Sequence, residues 1–304
     1  MQAMADPTVT VIIPTNKGGR YLAEAVASVR AQTSPVHEIL LVDDGSPAPG
    51  LADVAAGLGV RHLRQEPSGL SVARNTGAAA ATGDWIAYLD DDDVWHPERI
   101  AEQLRGLEAA PDAVAACTGG WYMDADGVPF GTGWGARPAS AAQLIAYETP
   151  PPRITTLLIR REAYLAVGGC RSAMEPAEDN DLILRLLQHG EVASIDRQLV
   201  GYRRHGANIT SRGLAGREAN RRVLADRIEE ARVRGDDGMA GLLTRHRRAF
   251  RRYAAADNLG ELIDAMRRRD WRYAGLLGLW GLRRAPASSL SALARRVTRR
   301  AGSS

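Results

Sequence analysis

Short apolar runs and amphipathic stretches alternate through the first hundred residues. Residues 9–14 (VTVIIP), 38–44 (EILLVDD) and 84–90 (DWIAYLD) are brief, partly β-branched and bounded by turn residues, as buried strands are. Between them Tyr21, Leu22, Ala25, Val26 and Val29 recur at helical spacing, and Leu70, Ala73, Gly77 and Ala80 do the same. Strand and helix in alternation predict an α/β fold, a Rossmann-like and mostly parallel central sheet with helices on both faces. Sheets of that kind bind ligands at the carboxyl ends of their strands.

The rhythm changes after residue 112. AVAACTGGWYMDADGVP predicts a strand and then a hairpin turning at Asp126-Gly127. Residues 131–152, rich in Gly, Ala and Pro, read as a loop near a site or a lid. ITTLLIRREAYLAVGG predicts a strand followed by a helix that ends at Gly168-Gly169. AEDNDLILRLLQHG predicts an amphipathic helix with Leu182, Leu186 and Leu187 inward and Gly190 as its stop, and EVASIDRQLVGYRRHG a further strand. Beyond Ser211 the pattern is helical and Arg-rich.

Charge divides the chain at the same place. Residues 211–304 carry 22 Arg, no Lys and 10 Asp or Glu, a balance of +12, so the overall +3 leaves −9 for the first 210. An acidic body of residues 1–210, with halves at about 1–112 and 113–210, and a basic region of 211–304 suggest two different jobs. Two cysteines, Cys117 and Cys170, cannot build a disulfide framework and suit a reducing compartment. With no long apolar segment and no basic-then-apolar N-terminus, a cytoplasmic protein is expected.

The candidate chemistry gathers where the strands end. Asp90, Asp91, Asp92 and Asp93 follow the third apolar run. On an extended backbone Asp90 and Asp92 face the same side and can share one divalent cation, for which oxygen ligands suit Mg²⁺ or Mn²⁺. The alternative is a solvated acidic turn ahead of a helix starting near Pro97. Asp43 and Asp44 end the second run, either as a βα turn or as acceptors for a nucleobase N–H. Arg74 and Asn75 lie on a helix of small residues, which can pack closely on a sheet; they are either a structural tie to loop carbonyls or a contact to a sugar nucleotide. Glu178 and Asp179 begin a helix, where acids cap the dipole or, near a reaction centre, provide a general base.

Taken in order, PTN at 14–16, Gln32-Thr33, EILLVDDGS, GLSVARNTG, GDWIAYLDDDD, VGGC and Glu178-Asp179 resemble the family 2 glycosyltransferases of the GT-A fold, over roughly residues 8–210. The resemblance implies an inverting, metal-dependent transfer from a nucleoside-diphosphate sugar, most often a UDP-sugar, to a hydroxyl acceptor in polysaccharide, glycolipid or other glycan synthesis. By position it makes residues 1–112 the nucleotide-sugar half and 113–210 the acceptor half. It assigns Pro14 and Thr15 to the loop under the base, Asp44 with Asp43 beside it to the nucleobase, and Asp90 and Asp92 to the DxD motif. Asp92 would ligate Mg²⁺ or Mn²⁺, Asp90 would hold the ribose or a metal-bound water, Asp91 would be the variable middle residue and Asp93 the third acid. Arg74 and Asn75 stay with the donor, Asp179 becomes the catalytic base, and Glu178 sits beside it toward the acceptor.

The chain departs from the family at Asn16-Lys17, which replaces the usual pair after Pro-Thr, and at Cys170, where an aromatic often stands. His205 in YRRHGANIT is either a surface residue or a neighbour of the metal and diphosphate. Trp95, Trp121, Tyr122 and Trp134 are candidates for an acceptor platform, since aromatic faces stack on sugars or lipid carriers, with core packing at least as good an account of Trp95 and Trp121; Trp134, in its Gly-rich stretch, is the best placed. In the tail, residues 266–284 (MRRRDWRYAGLLGLWGLRR) set apolar residues between Arg clusters, and ALARRVTRR adds charge. That region either contacts an anionic membrane peripherally, as at the inner face of the cell membrane, or packs on the catalytic domain. Nucleic acid is not an expected partner, because no recognition motif is present. A non-catalytic binder of nucleotide-sugars or glycans is the alternative to a transferase; a sugar nucleotidyltransferase would need a Gly-rich GxGTR-like loop that residues 17–20 lack.

Overall fold

In the computed structural model, residues 7–47, 50–149, 151–205 and 213–284 are described. They form two compact units, one of residues 1–141 with 151–208 and one of 142–150 with 209–304. The tail sequence ALARRVTRR and the end of YRRHGANIT lie outside the described residues.

The first unit is an α/β layer structure. Its elements run β1 (Val9–Thr15), α1 (Leu22–Arg30), β2 (Glu38–Asp44), α2 (Leu51–Gly57), β3 (Arg61–Gln65), α3 (Leu70–Ala80), β4 (Trp85–Tyr88), β5 (Val94–Trp95), α4 (Arg99–Glu108), β6 (Ala113–Met123) and β7 (Pro129–Trp134). After the excursion 142–150 the unit resumes with β8 (Leu157–Arg160), α6 (Arg161–Ala166), α7 (Glu178–Leu186) and β9 (Glu191–Arg203). The sheet order is β3-β2-β1-β4-β8-β6-β9-β5, with β7 paired to β6. The four strands β3-β2-β1-β4 are parallel throughout. Beyond them β8 is antiparallel to both β4 and β6, and β9 returns parallel to β6, so the sheet is mixed.

Burial explains the elements. All seven residues of β1 are buried, as are Leu22, Ala25, Val26 and Val29 of α1. Close packing of α3 is enforced by Gly77: a Cβ there would lie 2.4 Å from Cγ2 of Ile12, well inside the 3.5–4.0 Å of optimal carbon contact. The buried face of α3 is Ser71, Ala73, Arg74, Gly77 and Ala78; of the expected Leu70, Ala73, Gly77 and Ala80 it includes Ala73 and Gly77. The expected hairpin turns at Gly127, whose φ is +83°, and Asp124 pins it by accepting from the amides of Asp126 and Val128, each at 2.9 Å. Both cysteines are buried and free.

Three expectations need correction. The strand expected over 84–90 stops at Tyr88, because the chain turns where the aspartates begin. The stretch 131–152 is not a plain loop: β7 runs to Trp134 and a short helix α5 (Ala141–Ile145) follows, whose Leu144 and Ile145 are buried. And α7 buries more than the expected Leu182, Leu186 and Leu187: Glu178 and every residue from Asn180 to Leu186 are buried, with Arg185 paired to Asp181 at 2.7 Å and donating to the carbonyls of Val167 and Gly169.

The second unit is helical: α8 (Gly213–Val233), α9 (Asp237–Arg267) and α10 (Trp271–Arg284). Asp236 caps α9 by accepting from the Met239 amide at 2.9 Å, satisfying one orphan donor of the first turn. Residues 142–150 belong here. The carbonyl of Ile145 accepts from Nδ1 of the buried His246 at 2.9 Å, and burial holds that imidazole down at about 4, hence neutral. No helix among the described residues is long and apolar enough to cross a membrane.

Candidate active site

The acidic residues sit where the parallel strands end. Thr15, last in β1, receives the Gly18 amide at 2.9 Å on its hydroxyl and donates that hydroxyl to Asp91. At the end of β2, Asp43 is wholly buried, paired with Arg64 at 2.5 Å and accepting from the Ser46 amide at 2.7 Å. Its neighbour Asp44 accepts from Gln65 at 2.8 Å and from the amides of Ser68 and Gly69 at 2.7 and 2.9 Å. Asp44 therefore organises the loop leading into α3 and keeps only part of its acceptor capacity for a base.

The aspartate quartet is a turn. The Asp93 amide returns to the Asp90 carbonyl at 3.1 Å, so the same-face geometry expected of an extended strand does not apply to Asp90 and Asp92. The four side chains take separate partners. Asp90 faces Arg74 at 3.3 Å; Asp91 turns back to Thr15; Asp92 meets Nε2 of His205 at 2.9 Å; Asp93, 1% exposed, accepts from the Arg203 amide at 2.9 Å. Burial raises the carboxyls of Asp91, Asp92 and Asp93, and the charge of Asp90 pushes each further up. Asp91 reaches about 6, and Asp93 rises well above the ordinary carboxylate range. His205 opposes the rise at Asp92.

The base candidate comes from the start of α7. Glu178 is 7% exposed and paired with Arg74 at 2.8 Å. Asp179, next to it, accepts from the Asn180 amide at 2.7 Å. Burial raises the Asp179 carboxyl, while the cations of Arg74 and Arg153 pull it back. Arg74, 2% exposed, thus joins Asp90 on the quartet to Glu178 on α7, and its guanidinium stays charged because those carboxylates outweigh its desolvation. It ties carboxylates, not loop carbonyls.

Asn75 does not reach the site. Its amide nitrogen donates to the Cys170 carbonyl at 2.8 Å, and its oxygen accepts from the Cys170 amide at 2.9 Å and the Tyr164 hydroxyl at 2.7 Å. Both ends are engaged, so of the two readings for Asn75 the structural tie holds. Glu178 likewise spends its carboxylate on Arg74 rather than on an open acceptor face.

Two arginines escaped the sequence reading. Arg203, 1% exposed, donates to the Asp92 carbonyl at 2.8 Å and to Glu24 at 2.6 Å, which fixes the turn against β9. Arg153 lies 4.3 Å from the Trp134 ring, 5.2 Å from Tyr202 and 5.8 Å from Tyr122, and donates to the Tyr122 hydroxyl at 3.2 Å. Nothing distinguishes either from 36 other arginines in the sequence; only the YRRH strand end hinted at Arg203. Trp134 packs 5.1 Å from Tyr122 and is half-buried, whereas Trp95, 3% exposed under Arg99, belongs to the core.

No group of three or more His, Cys, Asp or Glu is poised round one point among the described residues. The Asp92–His205 pair still fits a divalent ion of the Mg²⁺ and Mn²⁺ type, because such ions are commonly held by one or two protein ligands and complete their shell with substrate phosphate oxygens and water.

A parallel half-sheet with carboxylates at its strand ends, joined to a mixed half, is the GT-A glycosyltransferase fold. S. aureus TarS 1–349, solved in complex with UDP-GlcNAc, superposes with a TM-score of 0.60 over 79% of this chain and 72% of TarS at 18% identity, a likeness of fold. The family model of Glycosyl transferase family 2 matches residues 10–168, and the chain belongs to that family. An uncharacterized glycosyltransferase of Haemophilus influenzae is 28% identical over 185 residues, 59% of this chain and 62% of that protein. O-antigen biosynthesis protein RfbC of Myxococcus xanthus is 29% identical over 222 residues, 68% of this chain but 16% of RfbC. The chain thus spans less than two thirds of the length of these relatives.

Proposed function

We propose that the chain transfers a sugar from a nucleoside-diphosphate sugar to a hydroxyl acceptor during glycan synthesis, with inversion at the anomeric carbon. The observation that carries this reading is the Arg74 bridge: one buried guanidinium holds the acidic turn that follows β4 and the helix that bears Asp179. A donor diphosphate at the turn and an acceptor at Asp179 would then share one reaction centre. UDP is the favoured nucleotide, since TarS, of the same fold, was solved with UDP-GlcNAc.

In the proposed step the acceptor oxygen attacks the anomeric carbon as its proton passes to Asp179. The bond from that carbon to the diphosphate oxygen breaks, and the electron pair leaves with the nucleoside diphosphate. The raised Asp179 carboxyl suits a general base, which works best when its pKa approaches the operating pH. Asp92 and His205 would hold Mg²⁺ or Mn²⁺, which when bound would neutralise charge on the leaving diphosphate. Asp90 and Thr15 would flank the donor; Trp134 and Tyr122 offer ring faces to the acceptor.

The test is a panel of nucleotide-sugars with each cation, reading nucleoside diphosphate release and product linkage in the wild type, Asp92→Asn and Asp179→Asn. Cation-dependent release with an inverted product, lost in both variants, supports the reading. A protein that is stabilised by a nucleotide-sugar yet releases no nucleotide with any acceptor is instead a binder.

A further inference from the structure

The helical unit contains a partly open cavity of about 90 Å³ lined by residues of α8, α9 and α10. Five arginines line it, Arg217, Arg221, Arg247, Arg251 and Arg284, and no carboxylate does. Its floor is apolar, with Leu224, Phe250, Ala254 and the ring of Trp280. Three of the arginines are neutralised from outside the cavity. Arg217 pairs with Asp257 and Glu261, each at 2.5 Å, while Arg221 and Arg284 share Glu218 at 2.8 and 3.1 Å. Arg247 and Arg251 have no such partner among the described residues. They stand one helical turn apart on α9, where like charges repel unless an anion lies between them.

The neighbouring helix adds a second, independent feature. α10 buries Ala274, Leu277 and Gly281 and turns the opposite face outward. Trp271 is 63% exposed, Leu276 51%, Leu279 45% and Leu282 70%. Arg272, Arg283 and Arg284 share the exposed part of the same helix. Leucines facing water beside arginines suit the boundary of an anionic bilayer, where the apolar side chains enter the acyl region and the cations meet headgroups.

We propose that the helical unit is a binding site for an anionic membrane lipid, with its phosphate between Arg247 and Arg251 in the cavity mouth and the exposed apolar face of α10 resting on the acyl chains. Arginine is apt here because its planar fork matches phosphate oxygens in a bidentate manner. The site is separate from the donor site and stands whether or not the transferase reading does.

The experiment is flotation of the full chain with vesicles of phosphatidylcholine alone or mixed with phosphatidylglycerol. Binding is expected only to the mixed vesicles, weakening as salt rises. Arg247→Gln with Arg251→Gln should lower partitioning about 30-fold, from the usual worth of two basic residues at such a surface. Leu279→Gln with Leu282→Gln should weaken binding in a way salt does not reproduce, and circular dichroism should report unchanged helix in both variants. Wild-type protein that ignores mixed vesicles, or a folded double-arginine variant that binds like wild type, would overturn the proposal. So would inorganic phosphate or glycerol phosphate displacing the protein from vesicles at low millimolar concentration, which would mark a site for free phosphate.

Discussion

Arg74 and Glu178 meet at 2.8 Å although 104 residues separate them in sequence. The contact is buried on both sides, so its partners cannot turn to water if it breaks. Arg74→Ala leaves Glu178 and Asp90 facing each other without a cation and should cost about 3–5 kcal/mol. Glu178→Gln keeps the shape and a hydrogen-bond acceptor and should cost less. Urea unfolding of the two variants checks the order.

Asp179→Asn should lower the transfer rate about 10²–10⁴-fold while leaving donor affinity intact, as expected for loss of a general base. In the wild type the base must be ionised, and burial raises its carboxyl. The rate should therefore climb with pH along an acid limb lying above the ordinary aspartate range, and the variant should lack that limb. A pH profile of kcat for both proteins decides it.

Asp91 gives a stability signature of the opposite sense to a salt-bridged carboxylate. Its folded value of about 6 stands above the ordinary 3.8. Between those values the folded chain retains a proton that the unfolded chain has released, so stability falls as pH rises through the window. The loss is on the order of 2 kcal/mol. Asp91→Asn should flatten the dependence, since an amide oxygen can still accept from Thr15. Denaturant midpoints from pH 4 to 7, in a chelator, measure it.

His205 fixes the Asp92 carboxylate through a 2.9 Å hydrogen bond. In the proposed assignment both side chains are ligands, so His205→Ala leaves the ion a single protein ligand. The variant should need a higher Mn²⁺ concentration for half-maximal nucleotide release. Chelator should abolish release in both proteins.

Gly120 has no room for a side chain. A Cβ there would lie 2.4 Å from Cζ2 of Trp134 and 2.5 Å from the Val200 carbonyl oxygen. Gly120→Ala should cost about 1–3 kcal/mol through overpacking. Trp134→Ala in the same background should recover part of it by opening the space, which a double-mutant cycle would show.

The alternation of apolar runs made the parallel half legible. β2 spans Glu38–Asp44 as the pattern predicts, and α1 buries the four residues its spacing selected inside the helix. The missed strand β3 reads RHLRQ: it is an edge strand with one flank in solvent, so it needs no apolar run. The aspartate quartet was legible as a cluster with two readings, an extended strand end or an acidic turn, and nothing local chose between them because nothing local marks where β4 stops. The ties that hold the site escaped notice for another reason. The contacts of Arg203 and Arg153 are long-range contacts of single residues, and no periodicity announces them.

The strand order has a consequence for how the chain is made and cut. β9 is the last strand of its unit in sequence, yet it pairs with β6 along most of that strand's length. The segment matched by the family stops at residue 168, before β9 begins. A fragment ending there would present the edge of β6, from Ala113 to Met123, with unpaired amides and carbonyls, a template for association with other chains. A nascent chain meets the same hazard: its parallel strands find partners once Tyr88 has emerged, whereas β6 stays open on one side until Arg203 has left the ribosome. Soluble production of the catalytic unit therefore depends on a stretch that the family match does not include.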